Sequence, residues 1–225
     1  MSTGRKEILA GIRKSLGREP LDELQKAELD ARLQSPTRGV IPSRVNHGHA
    51  RLVDIFVEYA KSVDVTVDRV EAPASVPGAV ADYLANENLP ATLRAAPDPT
   101  LEGIPWENRS TLTVNFGMTN GSDEVGMTAA FAGIAESGTL MLRSGPESPT
   151  TLNLLPDTHV VVLRASQIVG PYEDAWDKLR QSDLPRTVNL ITGPSRTGDI
   201  EQTIYLGAHG PRRMHIVLID DSDVE

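Results

Sequence analysis

The sequence predicts an α/β protein in which helices cover a mostly parallel mixed sheet. Three observations carry this. Short β-branched runs recur along the chain, the clearest being Val160-Val161-Val162-Leu163 within His159–Arg164. Segments with apolar residues at helical spacing alternate with them, as in βαβ units. Turn residues separate the two kinds of segment, with Gly and Pro at most junctions.

In chain order, residues 5–16 read as a helix with Ile8, Leu9, Ile12 and Leu16 on one face and Gly17 as its stop. Residues 21–34 read as a charged helix, and Ser35-Pro36-Thr37-Arg38-Gly39 as a linker. Residues 1–40 form a helical arm, too short to bury a core of its own; residues 41–225 form the main domain. A further helix is expected over 47–62, with Leu52, Ile55, Phe56 and Tyr59 in phase, then a strand over Val63–Val70. Val76–Asn86 reads as helix and Pro90–Ala95 as strand. Residues 96–110, with three prolines, read as loop, and Thr111–Phe116 as strand. Val125–Ala135 is a small-residue apolar run followed by a strand at Thr139–Arg143, with antiparallel pairing expected across 125–143. After the His159–Arg164 strand come a helix over Glu173–Gln181 and strands at Thr187–Ile191 and Met214–Ile219. The acidic end, Asp220 to Glu225, reads as solvated.

Composition narrows the function. The 225 residues include 22 basic and 31 acidic ones, a net charge of −9. That is the wrong sign for a general nucleic-acid binder, which presents a basic face to phosphates. With no cysteine, the chain forms no disulfide, no thiolate zinc site and no cysteine-ligated iron–sulfur cluster of its own. No apolar run approaches the roughly 20 residues a spanning helix needs. The N-terminus turns amphipathic at once and lacks a signal-peptide core, so a cytoplasmic protein is expected.

Three loop signatures in the second half point to a site. They are Gly133-Ile134-Ala135-Glu136-Ser137-Gly138-Thr139, Gly193-Pro194-Ser195-Arg196-Thr197-Gly198-Asp199-Ile200-Glu201, and His209-Gly210-Pro211. Each borders an apolar run and carries glycine beside polar side chains. Glycine lets backbone approach a ligand closely, and the polar groups give that ligand partners. Glu136 is the candidate base, nucleophile or hydrogen-bond anchor; the alternative is a carboxylate that bonds backbone amides and holds its turn. Ser137, Gly138 and Thr139 complete that corner. In the second loop, Gly193, Ser195 and Thr197 offer free backbone and hydroxyls, and Arg196 a planar fork for carboxylate or phosphate. Asp199 can cap a following helical turn or act in chemistry, capping being the commoner role. His209, beside Gly210, is a candidate acid–base group or a loop histidine bonded to a carbonyl. The second loop follows a predicted strand, which places it at the carboxyl edge of the sheet, where ligands gather in open α/β folds. No Walker loop, dinucleotide fingerprint or Gly-x-Ser-x-Gly elbow occurs. His47-Gly48-His49 lacks the further ligands a metal site needs.

These segments, with Leu154-Leu155-Pro156 and His159-Val160-Val161-Val162, resemble the LUD-domain family in its lactate utilization protein C (LutC/YkgG) branch. The resemblance runs over about residues 110–220, and the first 40 residues take nothing from it. The family usually reads Glu-Thr-Gly-Thr where this chain has Glu136-Ser137-Gly138-Thr139. The resemblance implies a three-layer α/β/α fold like the NagB/RpiA/CoA-transferase group. It also implies a part in oxidising L-lactate to pyruvate beside two iron–sulfur partner proteins. That oxidation removes two electrons, and this chain advertises no cofactor motif to accept them. Electron transfer is therefore expected on the partners, whose iron–sulfur clusters the resemblance implies, or on a cofactor bound in a way the sequence does not advertise; this chain is expected to bind a small carboxylate or phosphorylated ligand. Two alternatives stay open. One is an enzyme of the CoA-transferase or sugar-phosphate-isomerase type using Glu136, whose turn is similar to that of the CoA-transferase glutamate. The other is a non-catalytic assembly or regulatory module.

Overall fold

The computed structural model describes residues 3–198 and 205–221, and the chain divides into two units, Met1–Val40 and Ile41–Glu225. The first unit holds α1 (Thr3–Ser15) and α2 (Glu23–Gln34). A reciprocal cap starts α2: Asp22 Oδ1 accepts from the Gln25 N–H at 2.8 Å, while Gln25 Oε1 accepts from the Asp22 N–H at 3.2 Å.

The second unit opens with α3 (His49–Ser62), β1 (Thr66–Val70), α4 (Val76–Asn86), β2 (Thr92–Ala95), α5 (Pro99–Glu102) and β3 (Thr113–Phe116). Then follow β4 (Val125–Ala129), β5 (Ala132–Ile134), β6 (Thr139–Arg143), α6 (Thr151–Leu154), β7 (Thr158–Arg164) and β8 (Ile168–Val169). α7 (Tyr172–Leu179), β9 (Val188–Ile191), β10 (Arg196–Thr197), β11 (Tyr205–Leu206) and β12 (Arg213–Ile219) complete it.

Six strands pair in the order β1-β12-β7-β4-β2-β3, every neighbour parallel. The apolar runs of β7 and β12 are buried on both faces, as parallel strands require. Val160, Val162, Val217 and Ile219 turn to α4 and pack with Val80 and Leu84. Val161, Leu163, Ile216 and Leu218 turn the other way, onto Phe56 and Ala60 of α3 and Leu140 and Leu142 of β6. Each such large side chain contributes about 1.5–3 kcal/mol by leaving water.

A second sheet, β8-β5-β6-β9, lies on the α3 side. β6 runs antiparallel to both β5 and β9. Its far face, with Ile134 and Met141, is covered by Ala175 and Leu179 of α7.

Two expectations are corrected here. The apolar run 125–135 is not one strand: β4 stays in the parallel sheet, and the chain crosses at Ala130–Phe131 so that β5 starts the second sheet. The antiparallel pairing lies in that second sheet, not within the main one. The Gly193 loop likewise follows β9 of the second sheet, not a strand of the parallel one. Ser195 donates its N–H to the Pro211 carbonyl at 2.8 Å, just before β12 begins. The loop therefore meets the amino edge of the parallel sheet rather than its carboxyl edge. Residues 96–110, read as loop, hold the single turn of α5. No helix among the described residues is long and apolar enough to cross a membrane.

Candidate functional site

The β5–β6 corner is pinned from three sides. Glu136 donates its N–H to the Gly170 carbonyl at 3.0 Å. Its carboxylate accepts from the Tyr172 N–H at 3.3 Å, at the start of α7, where the helix dipole favours negative charge. Arg44 donates from Nε and Nη2 to the Glu136 carbonyl at 3.2 and 3.1 Å, with its Nη2 3.9 Å from the carboxylate. The Glu136 side chain keeps 18% of its exposure, so it is held but not sealed. Gly138 takes φ +65°, and a Cβ there would sit 2.4 Å from the Ala60 nitrogen. The corner rides directly on the α3 backbone.

Behind Glu136 the hydroxyls of Ser137, Thr139, Tyr172 and Thr192 form a connected cluster. Ser137 Oγ lies 2.8 Å from Thr139 Oγ1 and 2.7 Å from Tyr172 Oη. Thr139 Oγ1 lies 2.8 Å from Tyr172 Oη and 2.6 Å from Thr192 Oγ1. Ser137, Thr139 and Tyr172 close a ring of hydroxyl contacts, each able to donate and accept, and Thr192 joins it through Thr139.

Thr192 opens onto a cavity of about 190 Å³, which Gly193, Ser195, His209, Gly210 and Pro211 also line. The two loops are stitched by the Ser195–Pro211 bond and by the Gly207 N–H donating to the Ser195 carbonyl at 2.9 Å. Gly193, at φ +78°, passes so close to α3 that a Cβ would lie 2.6 Å from the Val63 carbonyl oxygen. Leu154, Leu190, Ile191 and Met214 supply an apolar wall, and Asn153 of α6 completes the lining. Asn153 is fully buried, and among the described residues neither its Oδ1 nor its Nδ2 has a hydrogen-bond partner. The space is below the roughly 300–1,000 Å³ of cavities that take drug-sized ligands, which limits it to small molecules.

The proposed site residues thus fall into groups. Gly193, Ser195, His209 and Gly210 share the cavity. Ser137 and Thr139 reach it through the hydroxyl cluster and Thr192. Glu136 and Gly138 belong to the pinned corner and are not among the lining residues. Arg196 turns away and pairs with Asp64, both side chains well exposed. Thr197 is buried behind it. Asp199, with Ile200 and Glu201, lies outside the described residues. Sequence reading missed Arg44, Tyr172, Thr192 and Asn153. Of these only Asn153 left a local trace, as a lone amide inside the Leu152–Leu155 apolar run.

Two further cavities flank the domain. One of about 340 Å³ runs along α3 past Arg44, His47 and Tyr59. Another of about 200 Å³ lies at the carboxyl ends of β2 and β4, beside Asp98, Ala130 and Arg143. No group of three or more His, Asp or Glu among the described residues is placed to hold a metal ion.

Comparison with known proteins finds matches to part of this chain. The LUD domain matches residues 115–219, from β3 to the end of β12. An uncharacterized protein of Neisseria meningitidis is 38% identical over 138 residues, covering 60% of this chain and 58% of its own. Lactate utilization protein C of an Exiguobacterium strain is 29% identical over 97% of both chains. Alignments with other lactate utilization proteins C span only 42–44% of those relatives. The crystal structure of a DUF162 family protein from Deinococcus radiodurans matches at TM-score 0.57 and 24% identity, covering 77% of this chain and 99% of that one. It shows the fold.

Proposed function

This chain carries a LUD domain, and from that premise we propose that it is a component of L-lactate utilisation which binds a small anionic ligand in the Thr192–His209 cavity. The observation that carries this reading is the end-to-end similarity to a lactate utilization protein C, over 97% of both chains. The cavity supports it independently. It is small and mostly apolar in its lining, and it gathers two hydroxyls and an imidazole from two separate loops.

Oxidation of L-lactate to pyruvate releases two electrons and two protons. A chain without cysteine has no thiolate to hold a cluster. Under this reading the electrons pass to iron–sulfur proteins that work with this one in the cytoplasm, while this chain holds ligand or partner in place. In this reading Glu136 positions the β5–β6 corner through Tyr172 and Arg44, and His209 is the group at the cavity able to exchange a proton.

The test is growth on L-lactate as sole carbon source of a strain lacking its own copy. The wild-type chain is expected to restore growth and His209→Ala to lose it, while both grow equally on glucose. His209 is exposed, in a loop, so its loss leaves the fold intact. Failure of the wild-type chain to restore lactate growth would overturn the pathway assignment. Full rescue by His209→Ala would remove the histidine from it.

A further inference from the structure

The cavity at the carboxyl ends of β2 and β4 stands where the topology opens a crevice. The two strands are parallel neighbours. The chain leaving β2 turns to the α4 side, where Leu101 of α5 packs with Val80 and Leu84. The chain leaving β4 crosses to the other side, where Ala130 packs with Phe56 and Leu140. In open parallel sheets, ligands gather where neighbouring strands send their chains to opposite faces. The walls are held in advance of any ligand. Gln167 ties the exit of β7 to that of β4: its Nε2 donates to the Ala130 carbonyl at 3.1 Å, and its Oε1 accepts from the Arg164 N–H at 2.9 Å. Asp98 fixes the start of α5 by accepting from the Thr100 N–H at 2.8 Å.

Three charged groups, Asp98, Arg143 and Glu147, line this space of about 200 Å³. None of them forms an ion pair, either with another of the three or with any other described residue. The Arg143 guanidinium is instead stationed over the Phe131 ring, 5.3 Å from its centroid. We infer that the crevice binds a free α-amino acid through both of its charges. The guanidinium fork takes the carboxylate. Asp98 and Glu147 take the ammonium, which brings three N–H donors and no acceptor. Ser148, buried in the same wall, and Thr100 add hydroxyls. Charge balance selects this class. An anion alone would face two carboxylates, and a cation alone would face the guanidinium. A molecule carrying both signs leaves neither end unmet. The volume falls below that of cavities for drug-sized ligands, which suits a single amino acid. The crevice lies at the opposite edge of the parallel sheet from the Thr192–His209 loops, so it stands or falls apart from the lactate reading.

The experiment is calorimetric titration of the full chain with each standard L-amino acid, with propionate and ethylamine as controls that carry one charge each. At least one amino acid is expected to bind at least about tenfold more tightly than either control, the effect of losing one charged hydrogen bond. Arg143→Gln, Asp98→Asn and Glu147→Gln are each expected to weaken that amino acid by at least about tenfold, with urea midpoints unchanged. The substitutions spare the fold. Arg143 and Glu147 are exposed, and asparagine caps a helix as well as aspartate does. Binding of no amino acid would overturn the inference. So would equal affinity for propionate, or a loss confined to Arg143→Gln, since either marks a site for anions alone. A loss confined to the two carboxylate variants marks a cation site and overturns it as well. His209→Ala is expected to leave amino-acid binding unchanged, and a loss there would overturn the assignment of a second site. None of these outcomes depends on growth on lactate.

Discussion

Acidification from pH 6.5 to pH 5 is expected to cost this protein about 3 kcal/mol of stability. The cause is two histidines inside the parallel sheet. His159 of β7 is fully buried, and desolvation holds its pKa down at about 3. His215 of β12 is 1% exposed, with its pKa pushed down by burial to about 4. Their polar contacts are sparse. His159 meets only the Thr128 hydroxyl, at 2.8 Å. His215 stacks on Tyr83 with ring centroids 3.9 Å apart and meets Thr66 Oγ1 at 2.8 Å. Asp68 lies 3.7 Å from its Nε2, but that carboxylate is half exposed and does not offset the lost solvation.

The sign follows from which state binds protons. In the unfolded chain both imidazoles titrate near 6.5; in the folded one they stay neutral until about pH 3 to 4. Between those limits the unfolded state holds more protons, so stability falls with pH by about 1.4 kcal/mol per unit for each histidine. About one unit above pH 6.5 the contribution is fully present. Asp123 and Asp221, whose pKa values are lowered by hydrogen bonds and by Arg94 and Arg164, contribute their loss only at lower pH. Urea midpoints measured from pH 8 to pH 4.5 check this. A flat profile between pH 6.5 and 5 would show that the two rings are solvated or paired in the folded state.

Gly138→Ala is expected to lose about 2–5 kcal/mol, the sum of left-handed backbone strain and a forced clash. The added Cβ would fall 2.4 Å from the Ala60 nitrogen and 2.7 Å from the Tyr59 carbonyl carbon, both helix backbone that cannot swing aside. Relief requires the β5–β6 corner to lift off α3. That motion drags Glu136 from Tyr172 and Arg44 and pulls Ser137 and Thr139 from the hydroxyl cluster. The variant therefore loses ligand binding along with stability. Gly145→Ala is the control: nothing lies within 4 Å of its Cβ position, and a change within about 0.5 kcal/mol is expected. Equal urea midpoints for the two variants would refute the tight seating of the corner.

The sequence made the architecture legible where burial leaves a periodic trace. The Val-rich run of β7 reads as a strand covered on both faces, and α3 shows its apolar face through Leu52, Ile55, Phe56 and Tyr59. Sheet membership was not legible. The residues of β4 and β5 form one unbroken apolar run, and no local signal marks Ala130–Phe131 as a crossing between sheets. β9 looks like any other strand, so its loop was assigned to the wrong edge. Of the cavity lining, loop chemistry marks Ser195, His209 and Gly210, because glycines and hydroxyls cluster in sequence there. Thr192, Tyr172 and Arg44 became visible only through tertiary contact, since an isolated Thr, Tyr or Arg carries no local mark of what it will meet. Arg196 shows the opposite case. Its residue type invited a ligand role, and the fold gives it Asp64.

The most direct measurement is a crystal structure grown with L-lactate at saturating concentration. Electron density for the ligand in the cavity lined by Thr192, Ser195, His209 and Gly210 is the expected result. Lactate seated instead at the carboxyl ends of β2 and β4 beside Arg143, or a Thr192–His209 cavity without ligand density, would contradict it.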